Sequence, residues 1–359
     1  AAWVARPGAG DVWSWAGQHA PAFCERIAHG QAVLAARLAE AEPGGWRDEG
    51  TSYQGSALDG DLTGWAATFA GRFGPHHIWS ASRLEQYRAC PYWFFTSSVL
   101  RLEPLQRPSE GLDARQLGNI YHHILEQLYR AVGREGNSEA LLAALPEIAA
   151  AVLDAAPREE QFRETAYWQR TREQILGHVE QSVRALAALG GGYRFSEAER
   201  TFGIAGQPGS ALVVHDGDDS FSVHGYIDRV DRDDAGHVRI VDYKTAGPST
   251  FTNAAVRDGK KLQLPLYALA AQEALGLGQV TEGFYWHVQH AEPSGFTLSG
   301  FSAGDRHGPQ AAMEHVVALA WEAVHGARAG AFVPRVPAGG CPSYCPAAAY
   351  CWHYRGPSW

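Results

Sequence analysis

Two short runs of alternating residues, joined by a turn, constrain the fold of this chain more than any other feature. Residues 225–231 and 238–244 alternate β-branched or aromatic residues with polar ones, which predicts two strands. Between them, residues 233–236 read Asp-Asp-Ala-Gly and supply turn chemistry. The pair is therefore predicted to be an antiparallel hairpin.

Charged side chains are expected to converge on this hairpin. Successive strand residues point to opposite faces, so Asp242 and Lys244 share one face and Asp228 can meet them from the neighbouring strand. Carboxylates hold Mg²⁺, which lowers the pKa of a bound water. A nearby lysine can orient or deprotonate that water, or neutralise charge on the scissile phosphate. The grouping suits phosphodiester hydrolysis. A surface hairpin with an ordinary Asp–Lys pair is the alternative, because D-x-K is common.

An Asp followed by D-x-K resembles the PD-(D/E)XK nucleases, in their RecB-like branch. Residues 78–95 narrow the resemblance, because they are similar to the "SxSRLexyxxCPyxFf" opening of RecB/AddB-type nuclease domains. The resemblance implies an α/β fold with a mixed central sheet flanked by helices. Helices are also predicted over residues 112–133, 138–190 and 308–329, and a further strand over 284–288.

The amphipathic helix at 112–133 carries the next match, since residues 118–122 resemble the family's GxxxH helix. The resemblance implies that His122, not its neighbour His123, is a metal ligand. It implies a metal site built from four residues: His122, Asp228, Asp242 and the backbone carbonyl of Tyr243. An imidazole beside carboxylates is unusual for Mg²⁺ but comfortable for Mn²⁺, so either ion is expected. Glu199, leading into a strand near 201–204, is a weaker candidate.

Gln263 and Tyr267 lie on one face of a helix predicted to run to about residue 274. They resemble the QxxxY motif of RecB-like nucleases, which implies that the amide and phenol contact the DNA strand near the metal. The catalytic residues expected from the hairpin and this motif are Asp228, Asp242, Lys244, Gln263 and Tyr267.

Four of the five cysteines form a pattern, which consists of Cys90, Cys341, Cys345 and Cys351. Four thiolates suit a [4Fe–4S] cluster or a Cys₄ zinc site, and spacing alone does not separate the two. AddB-type nucleases carry one cysteine before the domain and three after it, so the resemblance implies the cluster. Three residues separate the first two of the trio where the family usually has two, which leaves room for zinc. Joining Cys90 to the trio closes a loop of about 250 residues, so the metal is expected to act as a staple. Cys24 is predicted to be a buried thiol.

Composition limits the remaining possibilities. The 359 residues are 45% hydrophobic, enough for a core. The net charge of −9 argues against tight unaided DNA binding unless a local basic groove exists. No apolar run reaches the roughly 18–20 residues of a membrane helix, and no G-x-x-x-x-G-K-[ST] motor motif occurs. Met313 is the only methionine, so the chain is expected to be a piece of a longer protein.

The leading hypothesis is a metal-dependent DNase domain over residues 76–359. Residues 1–75 are predicted to connect it to a preceding helicase-like region. By resemblance, it belongs to a soluble, cytoplasmic bacterial helicase–nuclease that resects double-strand breaks. Expected partners are single-stranded DNA ends and a helicase subunit or region. A free-standing exonuclease of the CRISPR-adaptation type and a catalytically silent DNA-binding clamp are the alternatives.

Overall fold

A computed structural model describes residues 60–104, 111–134, 136–351 and 353–356. Cys24, predicted to be a buried thiol, lies outside the described residues. Residues 59–359 group into one unit by their contacts. Its aromatic residues Phe69 and Phe73 already belong to the main core, where they pack near Phe332 and Trp79.

A seven-stranded mixed sheet forms the centre of the fold. The order runs β1-β4-β5-β6-β7, with β2 and β3 also paired to the long β4. Strands β1–β4 and β5–β6 are parallel, and the other four pairs are antiparallel. The strands are β1 (Ile78–Ser80), β2 (Arg194–Phe202), β3 (Leu212–Asp216), β4 (Asp219–Arg232), β5 (Val238–Lys244), β6 (Val280–His287) and β7 (Glu292–Thr297). A separate short ribbon pairs β8 (Ser302–Ala303) with β9 (Arg306–His307).

Helices cover both faces of this sheet. The α-helices are α1 (Ala66–Arg72), α2 (Ala81–Ala89), α3 (Pro91–Phe94), α4 (Ala114–Val132), α5 (Ser138–Glu159), α6 (Trp168–Ala188), α7 (Asn253–Arg257), α8 (Gln263–Leu269) and α9 (Gly308–Arg328). Single π-helical turns follow α3 at Phe95–Val99 and α8 at Ala270–Ala274. Short 3₁₀ turns occur at Thr63–Trp65 and Pro248–Thr250.

Alternating strand residues divide the core into two layers. Ile240 and Tyr285 point into the layer that contains α2, α8 and α9. Their neighbours Val241 and Trp286 point into the layer formed by α4, α5 and α6. The strands β5 and β6 are therefore buried on both faces, as expected for a parallel pair under helices. The predicted α/β fold with a mixed sheet between helices is confirmed.

Helix α4 is fixed at its start by its own sequence. The Asp113 side chain accepts from the Gln116 backbone amide at 2.8 Å, and the Gln116 side chain accepts from the Asp113 amide at 2.7 Å. This capping box satisfies two backbone donors that a helix otherwise leaves unpaired. Gly133, with φ of 73°, follows the last residue of the helix. The register of α4 is thereby set, and with it the position of His122.

Helix α5 (Ser138–Glu159) is long and apolar enough to cross a membrane by length and composition, with a window of mean hydropathy 1.6. The sequence prediction considered only uninterrupted apolar runs. It therefore did not include a helix in which alanine and leucine outweigh a few charged residues. A third of that window is buried inside the fold. Its buried residues, such as Leu145 and Leu153, pack in the same core layer as α4 and α6.

Candidate active site

The hairpin of β4 and β5 forms as predicted, with Arg229 opposite Val241 and Asp231 opposite Arg239. In the turn, Asp233 accepts hydrogen bonds from the backbone amides of Ala235 and His237. β4 begins at Asp219, earlier than the predicted strand, because it also pairs with β1 and β3. The Asp228 side chain accepts from the Tyr243 amide at 2.7 Å, so this carboxylate bridges the two strands.

Asp242, Lys244 and Gln263 form a closed triangle of contacts. Asp242 is 1% exposed and lies 2.5 Å from the Lys244 ammonium through its Oδ2 atom. The Gln263 amide donates to Asp242 Oδ1 at 2.7 Å, and its carbonyl accepts from Lys244 Nζ at 3.0 Å. The first residue of α8 is thus joined to the end of β5. The structure brings the predicted D-x-K and QxxxY residues into one group.

His122 points at the hairpin from α4, whereas His123 is exposed. The Nδ1 atom of His122 lies 3.5 Å from Asp228 Oδ1 and 3.8 Å from Glu199 Oε1. Its Nε2 atom lies 3.1 Å from the carbonyl oxygen of Tyr243. The imidazole is therefore surrounded by acceptor oxygens, including those of two of the other predicted ligands.

Glu199 is closer to the centre than the sequence indicated. It lies within β2, not before a strand at 201–204, and its φ of 49° is in the left-handed region. This backbone conformation is uncommon for a residue other than glycine and is found at functional sites. Among the described residues, one ligand atom from each of His122, Glu199 and Asp228 lies within 4.8 Å of the other two.

The pKa values at this centre differ from ordinary ones. Burial lowers the pKa of His122, but the Asp228 carboxylate outweighs this effect and raises it to about 10. Burial raises the pKa of Asp242 to about 6, against the opposing effect of Lys244. Burial also raises the pKa of Glu199. For Lys244, burial lowers the pKa, but Asp242 more than offsets this and the net shift is upward.

This arrangement fits a divalent cation. The carboxylates of Glu199 and Asp228 and the imidazole of His122 each offer a ligand atom within 4.8 Å of the other two. Asp242 lies at the end of the neighbouring strand, and its buried Oδ2 atom contacts Lys244 without a well-aligned hydrogen bond. Like charges in so small a space repel one another, and here the protonated His122 supplies the compensating positive charge. A cation bound by the same oxygen and nitrogen atoms would provide that charge instead, as the chemistry of carboxylate and imidazole ligands allows.

Tyr267 lies beside the active-site strand, one turn after Gln263. Its ring is buried and meets Phe202 edge-on at 5.3 Å between centroids. A Cβ atom built on Gly225 of β4 would lie 2.6 Å from the Tyr267 hydroxyl oxygen. Only glycine leaves room for this close approach of the phenol to the strand.

Glu85 is a residue of the site that sequence reasoning missed. Its carboxylate accepts from the backbone amides of Leu262 at 2.7 Å and Gln263 at 3.2 Å, which caps the start of α8. Burial raises its pKa despite the nearby Lys261. Glu85 lies inside the matched 78–95 segment, but no local pattern there indicates a contact with amides 177 and 178 residues away.

The four patterned cysteines, named here the cysteine group, meet where the two ends of the domain come together. Cys90 packs with Cys345 and Cys351 in a small separate core. The backbone amide of Arg335 donates to the Cys90 sulfur, and that of Arg355 to the Cys341 sulfur, both at 3.4 Å. Burial raises the pKa of Cys351 to about 11, and the other three sulfurs add to the shift. The raised pKa favours the neutral thiol, and a cation bound by these sulfurs would displace the thiol protons.

Comparisons with known proteins agree with this geometry. Residues 78–352 match the model of the PD-(D/E)XK nuclease superfamily. Three relatives are each named as a subunit of an ATP-dependent helicase/deoxyribonuclease. The one from Moorella thermoacetica is 30% identical over 217 residues, which are 56% of this chain and 18% of the relative. The one from Desulforudis audaxviator is 31% identical over 245 residues, which are 61% of this chain and 20% of the relative. The one from Staphylococcus haemolyticus is 27% identical over 237 residues, which are 58% of this chain and 19% of the relative.

This chain therefore spans about a fifth of the length of the curated relatives that it matches. The family match covers all seven strands of the central sheet, and with them the hairpin, the helix α4 and the helix α8. The chain belongs to the PD-(D/E)XK nuclease superfamily.

Proposed function

We propose that this domain is a metal-dependent DNA nuclease that hydrolyses phosphodiester bonds at the β4–β5 hairpin. The observation that carries the proposal is the convergence of two buried carboxylates, a lysine and a glutamine on one end of the sheet. Asp228 reaches across to β5 at 2.7 Å, and Asp242 contacts Lys244 and Gln263 at 2.5 and 2.7 Å. A surface hairpin would expose these groups, whereas here both carboxylates are buried and the lysine and glutamine are half-buried.

The ligands proposed for Mg²⁺ or Mn²⁺ are the four predicted ones: His122, Asp228, Asp242 and the carbonyl of Tyr243. Glu199 is added as a fifth because it faces His122. When bound, the ion supplies a water of lowered pKa and positive charge beside the phosphate. His122 must release its proton to bind a cation, since its pKa is raised in the domain.

Lys244 acts as a fixed positive charge. Its net pKa shift is upward because Asp242 more than offsets the effect of burial, so it is an ammonium at neutral pH. In that state it neutralises charge on the scissile phosphate and donates hydrogen bonds to the attacking water. Gln263 holds the ammonium through its carbonyl, and Tyr267 presents its phenol to the strand near the same point.

The cysteine group is proposed to hold a [4Fe–4S] cluster, with zinc as the less favoured occupant. Support comes from the order of the four cysteines and from the two amide–sulfur hydrogen bonds, which are among the contacts that tune such clusters. The cluster would join the residues around Cys90 to the C-terminal segment. Its role is to stabilise the domain, because no predicted catalytic residue contacts these sulfurs among the residues that the structure describes.

The relatives' names support a place in a larger helicase–nuclease. We propose that residues 76–359 form the nuclease domain of such a bacterial protein and that residues 1–75 connect it to a helicase-like region. It would cleave single-stranded ends during the processing of double-strand breaks in the cytoplasm, with a helicase subunit as partner. The net charge of −9 agrees with reliance on a partner to deliver DNA.

The test is digestion of end-labelled single-stranded and duplex DNA by the 359-residue chain. Cleavage with Mg²⁺ or Mn²⁺, and none with EDTA, is expected. A duplex that stays intact while the single strand is degraded supports the substrate preference. Binding without cleavage under every metal condition would favour the silent DNA-binding clamp and contradict the proposal.

A further inference from the structure

A cavity of about 440 Å³ opens beside the edge strand β1, outside the catalytic residues. It lies between α1, the start of α2 and the π-helical turn Phe95–Val99. Its lining contains three arginines and a histidine but no acidic residue among those that the structure describes. The lining residues are Arg72, Phe73, His77, Arg83, Phe94, Ser97, Ser98 and Arg101.

The arginines of this cavity are not neutralised by carboxylates of the described residues. Arg72 donates to the carbonyl of Val99 at 3.3 Å. The side chains of Arg83 and Arg101 make no hydrogen bond or ion pair with any residue in the described ranges, and both are exposed. Arginines elsewhere in this acidic chain are commonly paired, as Arg184 is with Glu180 at 2.8 Å. An accumulation of unpaired guanidinium groups is a site for an anion.

A second cleft of similar size, about 420 Å³, shows the contrast. Arg130 there contacts Glu126 at 2.5 Å, and Arg134 lies 3.7 Å from Glu197. Its positive charges are therefore matched by carboxylates of the fold itself. The cavity beside β1 has no such match within the described ranges, although both clefts are lined by arginines.

The backbone around the cavity is also unusual. One wall is the π-helical turn Phe95–Val99, a conformation that is rare and frequent at functional sites. Arg101 follows it with a φ of 56°, in the left-handed region. Such a conformation costs free energy for a residue with a side chain, and it places this arginine at the cavity.

The sheet connects this cavity to the catalytic centre. Ser80 at the end of β1 pairs with His224 of β4, and Ser80 Oγ accepts from the Arg83 amide at 3.3 Å. Asp228 follows His224 by four residues on the same strand, which is about 13 Å at roughly 3.3 Å per residue. A stacked strand rises about 3.4 Å per nucleotide, so this length corresponds to about four nucleotides or fewer.

Tyr226 lies between the two sites on the same strand. By the alternation of strand residues, its side chain shares a face with His224 and Asp228. It is 45% exposed, in contrast to its buried neighbours Gly225 and Ile227. An exposed aromatic ring between a cation-rich cavity and a phosphodiesterase centre offers a stacking surface for a base.

We propose that this cavity binds a backbone phosphate of the DNA strand a few nucleotides from the bond that is cut, with Arg83 and Arg101 as its ligands and Tyr226 stacking an intervening base. The proposal rests on the proposed function for the position of the scissile bond. The cavity would be the local basic site that DNA binding requires in a chain with a net charge of −9.

The test separates binding from cleavage. The Kd of the full chain for a fluorescent thymidine oligonucleotide of about 12 nucleotides is measured in EDTA, from about 50 to 300 mM salt. Arg83→Gln and Arg101→Gln are each expected to raise Kd about tenfold, as for loss of a charge-assisted hydrogen bond. Each should also reduce the slope of log Kd against log salt by about 0.7. Arg184→Gln removes an equal charge from a paired surface arginine and should change neither value.

A cleavage arm with metal tests the position of the cavity. The two arginine variants should raise KM for the same oligonucleotide about tenfold with kcat unchanged, and should leave cleavage of a trinucleotide at the wild-type rate. Unchanged Kd and salt slope in both variants, with unchanged thermal melting, would overturn the cavity proposal while leaving the nuclease intact. An arginine-dependent Kd in a wild-type protein that cuts nothing would support the binding site and overturn the proposed function instead.

Discussion

The contact between Gly225 and Tyr267 gives a prediction whose size follows from the structure. In Gly225→Ala, the new Cβ would lie 2.6 Å from the Tyr267 hydroxyl oxygen and 2.7 Å from two of its ring carbons. An ordinary contact needs about 3.4 Å, so the ring would have to withdraw by roughly 0.8 Å. The ring is only 7% exposed and packs against Phe202, so it has little room to move.

Overpacking of this kind costs about 1–3 kcal/mol in the free energy of unfolding. For a domain of this size, that corresponds to a fall in Tm of about 2–5 °C. Displacement of the phenol from the catalytic centre is expected to lower kcat/KM as well, by about tenfold to a hundredfold. Thermal melting followed by circular dichroism and a single-strand cleavage assay measure the two effects on the same preparations.

Two further variants isolate the contact. In a Tyr267→Leu background the clash is removed, so Gly225→Ala should then cost less than about 0.5 kcal/mol. Gly177→Ala, in the middle of α6 with no atom near the added Cβ, should stabilise the domain by about 0.5–1 kcal/mol. Wild-type stability and activity in Gly225→Ala, or an equal loss in the Tyr267→Leu background, would refute the reasoning.

Three other predictions concern the metals. Replacing any member of the cysteine group by Ala should remove a broad absorbance near 400 nm and lower Tm, whereas Cys24→Ala should do neither. A colourless protein with stoichiometric zinc would identify a Cys₄ site. A colourless, metal-free and equally stable protein would exclude both the cluster and the zinc site. His122→Ala should lose metal-dependent cleavage and His123→Ala should keep it, because adjacent helical residues point about 100° apart; equal effects would indicate helix packing. Calorimetric titration of Mn²⁺ at about pH 7.5 in two buffers should show release of about one proton, since the pKa of His122 is raised to about 10. The affinity for Mn²⁺ should also rise with pH, because His122 and Asp242, whose pKa is about 6, lose their protons. Buffer-independent heats would contradict this assignment.

The elements that position the site follow from local patterns in the sequence. The hairpin is specified by alternation and by its Asp-rich turn, and α4 by its apolar face and the capping box at Asp113. In both cases the information lies within about twenty consecutive residues. Hydrophobic periodicity and capping chemistry act at that range, so their elements could be predicted.

Glu199 and Glu85 could not be placed in the same way. Glu199 reaches the centre through a left-handed residue inside β2, which the pattern of the strand does not indicate. Glu85 acts on backbone amides 177 and 178 residues away, so its role depends on packing between α2 and α8. The cavity beside β1 could not be predicted either, because whether an arginine is paired depends on its tertiary neighbours and not on its local sequence.

Asp242 and Lys244 have different roles at one hydrolytic centre, Asp242 as a metal ligand and Lys244 as a fixed positive charge. One paired measurement tests this assignment directly. Mn²⁺ affinity and single-strand cleavage are determined for wild type, Asp242→Ala, Lys244→Ala and the surface control Lys260→Ala, whose partner is Asp258 at 3.5 Å. Cleavage should fall at least about a thousandfold in both site variants, on the scale of a lost electrostatic group. Metal affinity should fall only in Asp242→Ala, because an ammonium is not a ligand, and Lys260→Ala should match wild type. Near wild-type cleavage by either site variant would contradict the assignment of this hairpin as the active site.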